Sequence, residues 1–327
     1  MQQEDFRRGE RSGKDRMRIA LIGQAAFGAK VLETLIGAGH TVVVTYTSKD
    51  ATQGKPVLDS AQNLGVPAFT LEKRQELAND LRRYAPDLCV MAFVTEKIPL
   101  DALRCPTLGT IEYHPSLLPR HRGSSSLNWT IINGEALTGV TIFWVDEGMD
   151  TGPILLQKEV EVSPDDTVGS LYFNKLFPLG VEALVEAVRL VREGKAPRIP
   201  QDESLATYEP PIQEKHGLLD WSQPVREVYD LIRGTNPHPG ATTFWQGRKL
   251  KLYDARMLTE TSTALPGKVV EVNEEGFVVS ASGGAIVVKR VQPQGSNKMS
   301  ASDFLKLSGF TRGARLGVCR PTSNNRP

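Results

Sequence analysis

Two short stretches of the chain hold the side chains best suited to chemistry. GTIEYHPSLLPRHRGSSSLNW (109–129) carries His114, and VDEGMDTGPILLQ (145–157) carries Asp150. An imidazole can move a proton at near-neutral pH, and a carboxylate beside it orients the ring and favours its protonated form. The two residues lie far apart in the chain, so any pairing between them is tertiary. Pro115 and Pro119 lock the backbone that follows His114, and a positioned acid or base needs such rigidity. Gly148 and Gly152 bracket Asp150 and permit a tight loop that returns its carboxylate to the strand ends. Taken alone, the two residues fit a structural histidine on a loop somewhat better than a catalytic pair. His40, His121, His216 and His238 read as structural. No two histidines have the i, i+4 spacing of a helical zinc site. The three cysteines (Cys89, Cys105 and Cys319) are too scattered for a zinc site or a disulfide framework. No metal is therefore expected, and the cysteines are expected as the free thiols of a reducing compartment.

The elements that would position these groups alternate. Residues 17–23 (MRIALIG), 41–46, 66–69, 88–93 and 108–112 read as strands, while 28–38, 57–64 and 77–84 have helical apolar spacing. Such alternation predicts an α/β fold with a Rossmann-like, mostly parallel sheet covered by helices. Ligands of these sheets sit beyond the carboxyl ends of the strands. His114 falls just past one such end. Residues 127–132 read as a helix, 140–145 and 154–162 as strands, and 166–193 as one long amphipathic helix. KAPRIPQDESLATYEPP (195–211) holds four prolines and no apolar period, so it reads as a linker. After a helix at 225–232, the runs 249–253, 267–272, 276–280 and 285–291 read as short strands, which suggests a small OB-like β-barrel domain. The expected domains are a catalytic domain at 17–194, a linker at 195–212, a helix plus OB-like domain at 213–318 and a tail at 319–327. Residues 1–16 are charged and poor in large apolar side chains, and are expected to be a disordered extension.

The loop Gly23-Gln24-Ala25-Ala26-Phe27-Gly28 stands where a dinucleotide fold would show G-x-G-x-x-G, but Ala25 replaces the second glycine. It reads as a tight turn with close helix packing, and no NAD is expected. With 39 Lys plus Arg against 38 Asp plus Glu the formal charge is +1, which disfavours a nucleic-acid-coating protein. No apolar run reaches the ~20 residues of a membrane span, and the first residues lack the apolar core of a signal peptide. A cytoplasmic protein is expected.

HPSLLPRHRG followed by GMDTG resembles the formyltransferase family that uses 10-formyltetrahydrofolate. The resemblance covers about 17–318. The catalytic half is similar to the hydrolase domain of 10-formyltetrahydrofolate dehydrogenases. IRGTNPHPGA (232–241) and VQPQGSNKMSASDFL (291–305) are similar to the C-terminal domain of methionyl-tRNA formyltransferases. The family pattern is N-x-H with G-x-D-T-G, which makes His114 and Asp150 catalytic and puts Glu112 where the asparagine stands. That asparagine is implied to donate a hydrogen bond to the formyl oxygen as it becomes an oxyanion. An ionised Glu112 cannot donate. Three possibilities stay open: a protonated Glu112 that donates, a Glu112 that points away, and a Glu112 that acts as a general base. The resemblance also implies a pterin pocket walled by Ala92, Phe93, Val94, Thr95 and Ile98 and by Val145, Asp146, Glu147 and Gly148.

Three functions follow. The first is hydrolysis of 10-formyltetrahydrofolate to tetrahydrofolate and formate. The second is formyl transfer from it to an amine on methionyl-tRNA, an amino sugar or another small molecule. The third is folate binding without catalysis. The departure at Glu112 weakens amine transfer more than hydrolysis. A tRNA partner is further disfavoured because the loop TSKDATQGK (47–55) has only two lysines. Lys249, Lys251, Lys268, Arg290 and Lys298 could still mark one face of the barrel, or simply be solvated charges.

Overall fold

The computed structural model describes residues 17–72, 74–260 and 263–317. The extension expected at 1–16 and the tail with Cys319 lie outside them. Contacts group the chain into two units. One takes in the chain up to His114, Thr141–Gln157 and Gly180–Gln201; the other takes in Pro115–Val140, Lys158–Leu179 and the chain from Asp202 onward.

The chain begins β1 (Arg18–Gly23), α1 (Ala25–Gly37), β2 (Thr41–Thr47), α2 (Ala51–Leu64), β3 (Ala68–Thr70), α3 (Leu77–Tyr84), β4 (Leu88–Ala92), α4 (Leu100–Leu103) and β5 (Gly109–His114). It continues with α5 (Ser126–Ile132), β6 (Leu137–Trp144), β7 (Ile154–Glu161), α6 (Val168–Leu171) and α7 (Phe177–Arg192). One sheet has the order β3-β2-β1-β4-β5-β6-β7. β3, β2, β1, β4 and β5 are parallel neighbours, as the alternation predicts. β6 runs antiparallel to β5. β1 and β4 are buried along nearly their whole length, as expected of parallel strands covered on both faces. The strand order reverses between β1 and β4, and the crevice at the carboxyl ends of such a pair is where ligands enter.

Two local differences from the sequence expectation have physical causes, and the glycine loop packs as expected. α2 starts at Ala51, not 57, because Asp50 caps it: Asp50 Oδ1 accepts from the backbone N–H of Thr52 (2.9 Å) and Gln53 (3.2 Å). The run at 166–193 is interrupted by a π-helical turn, Tyr172–Leu176, between α6 and α7. In the Gly23–Gly28 loop, a Cβ on Gly28 would come within 2.7 Å of the Gly23 carbonyl carbon, so this glycine serves close packing of helix on strand.

The second unit adds α8 (Val225–Gly234), β8 (Ala241–Trp245), β9 (Arg248–Leu252), β10 (Ala255–Leu258), β11 (Val269–Asn273), β12 (Gly276–Ala281), β13 (Gly284–Val288), β14 (Arg290–Pro293), β15 (Met299–Ser300) and α9 (Ala301–Ser308). The strands form two four-stranded antiparallel sheets, β10-β13-β12-β11 and β15-β14-β9-β8. No ladder among the described residues closes them into one barrel. The run expected as a single strand at 285–291 breaks at Lys289 and changes sheet there, since β13 belongs to the first and β14 to the second. Trp221, Ile232, Leu252, Phe277, Ile286 and Phe304 belong to the buried core of this unit. The basic residues read as one face are largely paired: Lys249 and Lys251 both reach Glu214, Arg290 lies 3.7 Å from Asp254, and Lys298 sits over the Tyr253 ring.

Candidate active site

Side chains alternate across a strand, and β5 uses both faces. Tyr113 packs its ring 4.4 Å from that of Phe27 on α1 and against Gly180 on α7. Glu112 and His114 therefore point to the opposite face. On that face their sheet neighbours are Met91 and Phe143 for Glu112, and Thr141 for His114. His114 is the last residue of β5 rather than just beyond it, because it still pairs with Thr141. Its side chain is 8% exposed.

The loop between β6 and β7 delivers Asp150. His114 Nδ1 and Asp150 Oδ2 are 3.7 Å apart, an ion-pair distance that is longer than a hydrogen bond. Catalytic contacts of this kind commonly tighten once substrate is bound. Asp150 holds φ at +56°, a left-handed conformation that Asp tolerates better than most residues. Asp146 shapes the loop by accepting from Gly148 N–H (3.0 Å) and the Thr151 hydroxyl (2.7 Å). Gly152 packs so close to the Trp144 carbonyl oxygen that a Cβ there would overlap it.

Gln201 straps the loop from outside. Its Nε2 donates to the carbonyls of Asp150 (2.8 Å) and Gly152 (2.7 Å). The segment that ends at Gln201 is held by Trp144 Nε1, which donates to Pro197 O, and by paired bonds between Ile154 and Ile199. These residues begin the stretch that reads as linker, and only its tertiary bonds reveal the strap. Gln201→Ala should lower turnover roughly 10- to 100-fold, the range typical of a lost supporting hydrogen bond behind a site residue, with the melting temperature little changed. Full activity in that variant would show that the loop does not need the strap.

Of the residues expected to wall a pterin pocket, Val94, Ile98 and Val145 share the sheet face of Met91 and Glu112. Ile98 belongs to the buried cluster that includes Cys89, Met91 and Ala102, and Val94 and Val145 pack against it. Ala92 ends β4, and Phe93 turns the chain with φ at +60°. The carboxylate of Asp146 is spent within its own loop, and Glu147 points out to Arg104. Of 145–148, then, the backbone and Val145 are what a ligand could use. Gln24 is a residue that spacing did not single out. It is buried at the carboxyl end of β1, its Oε1 accepts from the Thr95 hydroxyl (3.1 Å), and its Nε2 has no hydrogen-bond partner among the described residues.

Glu112 is partly buried beside this wall. Burial first, and then the neighbouring Asp150 carboxylate, push its carboxyl well above the usual carboxylate range. Cys89, one strand over, is buried and its thiol is pushed up to about 12. Cys89 and Cys105 are both free.

His121 is a structural group, as its sequence setting suggests. Nε2 lies 2.9 Å from Glu135 and Nδ1 3.1 Å from Glu209. Burial alone would lower its pKa, but the hydrogen bond and charge of Glu135, then the charge of Glu209, carry it above 6.5, while Glu135 is held below 4.5. A raised histidine contributes stability that is full below its unfolded pKa and is lost as pH rises through the folded value. Glu135 contributes stability that is lost as pH falls through its lowered value. His121→Ala should cost about 3 kcal/mol near pH 6, the low end for removing one partner of a buried ion pair, since it leaves two carboxylates facing each other. It should also flatten the decline of stability above pH 6.5. Urea unfolding across pH checks this, and an unchanged profile would contradict it.

Among the described residues no group of three or more His, Cys, Asp or Glu could hold a metal ion, and no helix is long and apolar enough to cross a membrane. A cavity of about 650 Å³ opens over Arg82, Leu100, Asp101, Arg104 and Cys105. Another of about 210 Å³ opens over Tyr46, Phe69 and Asp80 among others. Neither is lined by His114, Asp150 or Glu112.

A family model described as formyl transferase matches residues 17–188, and one described as formyl transferase, C-terminal domain, matches 211–309. The mitochondrial 10-formyltetrahydrofolate dehydrogenase of Homo sapiens is 39% identical over 310 residues, which cover 89% of this chain and 33% of that protein. The chain thus spans about a third of the length of the dehydrogenases it matches. The methionyl-tRNA formyltransferase of Syntrophus aciditrophicus is 37% identical over 308 residues, which cover 91% of this chain and 98% of that protein. Among solved structures, HypX from Aquifex aeolicus in complex with tetrahydrofolic acid matches with a TM-score of 0.69 at 21% identity, covering 91% of this chain and 48% of that one. The N-formyltransferase from Helicobacter canadensis, with folinic acid and dTDP-3-aminofucose, matches with a TM-score of 0.66 at 20% identity, covering 85% and 99%. At those identities the structural likeness is one of fold.

Proposed function

Because this chain belongs to the formyl transferase family of enzymes, we propose that it hydrolyses 10-formyltetrahydrofolate to tetrahydrofolate and formate. The observation that carries this reading is His114 at the carboxyl end of β5, with Nδ1 3.7 Å from Asp150, on the sheet face that bears Ile98 and Val145. The pterin lies against Val94, Ile98 and Val145 and takes edge hydrogen bonds from the backbone of 92–95 and 145–148. A water oxygen attacks the formyl carbon as His114 Nε2 takes its proton, and the carbonyl electron pair moves to oxygen. Asp150 accepts from Nδ1–H and keeps the lone pair on Nε2. The tetrahedral intermediate collapses as the carbon–N10 bond breaks. The imidazolium returns its proton to N10, and formic acid leaves and ionises. The catalytic domain at 17–194 carries these steps, in the cytoplasm.

A second reading is formyl transfer from the same donor to an amine. It is favoured by the methionyl-tRNA formyltransferases, which match over nearly their whole length, C-terminal domain included. The two readings separate when purified protein is given 10-formyltetrahydrofolate, first alone and then with candidate amines. Tetrahydrofolate and formate formed without an acceptor support hydrolysis. Turnover only with an amine supports the second reading, and binding without turnover removes both.

A further inference from the structure

Glu112 is the one titratable side chain on the reactive face of β5 that the mechanism above leaves without a task. It shares that face with His114, two residues on. Its neighbours across the sheet, Met91 on β4 and Phe143 on β6, are apolar. The charged and polar groups that act on it are the Asp150 carboxylate from the β6–β7 loop and the Cys89 thiol from β4, and His114 follows two residues on along its own strand. None is a fixed cation. Among the described residues, no hydrogen-bond donor or basic side chain is paired with its carboxyl.

A carboxyl group flanked by apolar side chains and a neighbouring carboxylate is better accommodated neutral than charged. The neutral form carries an O–H, which the ionised form lacks. It shares its strand face with His114, to which the proposed mechanism brings the formyl group. We propose that Glu112 works as a neutral carboxylic acid whose O–H donates a hydrogen bond to the formyl oxygen as that oxygen takes up charge. The O–H bond is not broken, so the proton count of the hydrolysis is unchanged: water gives one proton through His114 to N10, and its oxygen and second hydrogen leave with the formyl group.

A neutral acid in this position also favours water as the nucleophile. A neutral amine acceptor is a far stronger base than water and competes for the Glu112 proton. The resulting ammonium–carboxylate pair has neither a nucleophilic lone pair nor an oxyanion donor. Water is too weak a base to do this. The inference rests on the hydrolytic reading and assigns its acceptor preference to position 112.

The test compares wild type, Glu112→Gln and Glu112→Ala, after thermal melts show all three folded. Glutamine keeps a donor that does not titrate. The Gln variant should keep hydrolysis within ~10-fold of wild type near pH 7 and should lose the fall in rate that wild type shows as pH rises. The Ala variant should lose about 10²- to 10³-fold, as for a removed oxyanion donor. An infrared difference between wild type and Glu112→Gln near pH 7 should contain the carbonyl stretch of a protonated carboxyl. A general base would behave oppositely: the Gln variant would fall as far as the Ala variant, and the infrared band would be missing. Either result, or an Ala variant with wild-type activity, overturns the assignment while leaving hydrolysis standing. A wild type that releases no formate removes the hydrolytic reading first, and this inference with it.

Discussion

Replacing His114 by alanine is expected to lower formate release from 10-formyltetrahydrofolate by about 10²- to 10⁴-fold, the range for loss of a positioned proton-transfer group. The attacking water must give up a proton, and the leaving N10 must gain one. In the proposed mechanism the imidazole at the end of β5 makes both transfers. Folding should be largely unaffected, because the core on this face is carried by Cys89, Met91, Ile98 and Ala102. Steady-state rates and a melting curve on the same preparation check the prediction. Activity within a few-fold of wild type would take His114 out of the mechanism.

Asp150→Asn should cost about as much, for a different reason. The carboxylate faces Nδ1. In the proposed mechanism it accepts from Nδ1–H and leaves the lone pair of Nε2 for water. An asparagine amide of the same shape can donate to Nδ1 instead. The ring proton then sits on Nε2, where the base is needed. A loss of about 10²- to 10⁴-fold in kcat with KM nearly unchanged is expected, because the tautomer affects proton transfer and not folate binding. A variant that lost affinity and kept kcat would place Asp150 in binding rather than catalysis.

Much of this architecture is legible from local pattern. The apolar runs at β1 and β4 read as buried parallel strands, and HPSLLPRHRG with GMDTG holds both members of the His114–Asp150 pair. Other features carry no local signal. Gln201 acts through bonds to carbonyls some fifty residues away, and a glutamine in a proline-rich stretch looks like linker. β10 is a half-exposed four-residue strand, and α9 buries only Ala301 and Phe304, too few positions to establish a period. Asp50 starts α2 by capping, whereas apolar spacing begins only at Val57. The state of Glu112 depends on Met91, Phe143 and Asp150, which β-pairing and a loop bring to it from three places in the chain. Sequence alone left its three possible roles level.

Folate chemistry at the imidazole beside Asp150 underlies every loss of activity predicted above. The most direct measurement is a crystal structure of the protein with a non-hydrolysable 10-formyltetrahydrofolate analogue. Expected are the pteridine against Ile98 and Val145, the formyl carbon within about 4 Å of the imidazole or of a water bound to Nε2, and the His114–Asp150 separation shortened to hydrogen-bond length. An analogue bound with its formyl end away from His114, or an Asp150 that swings off the ring, would contradict this mechanism.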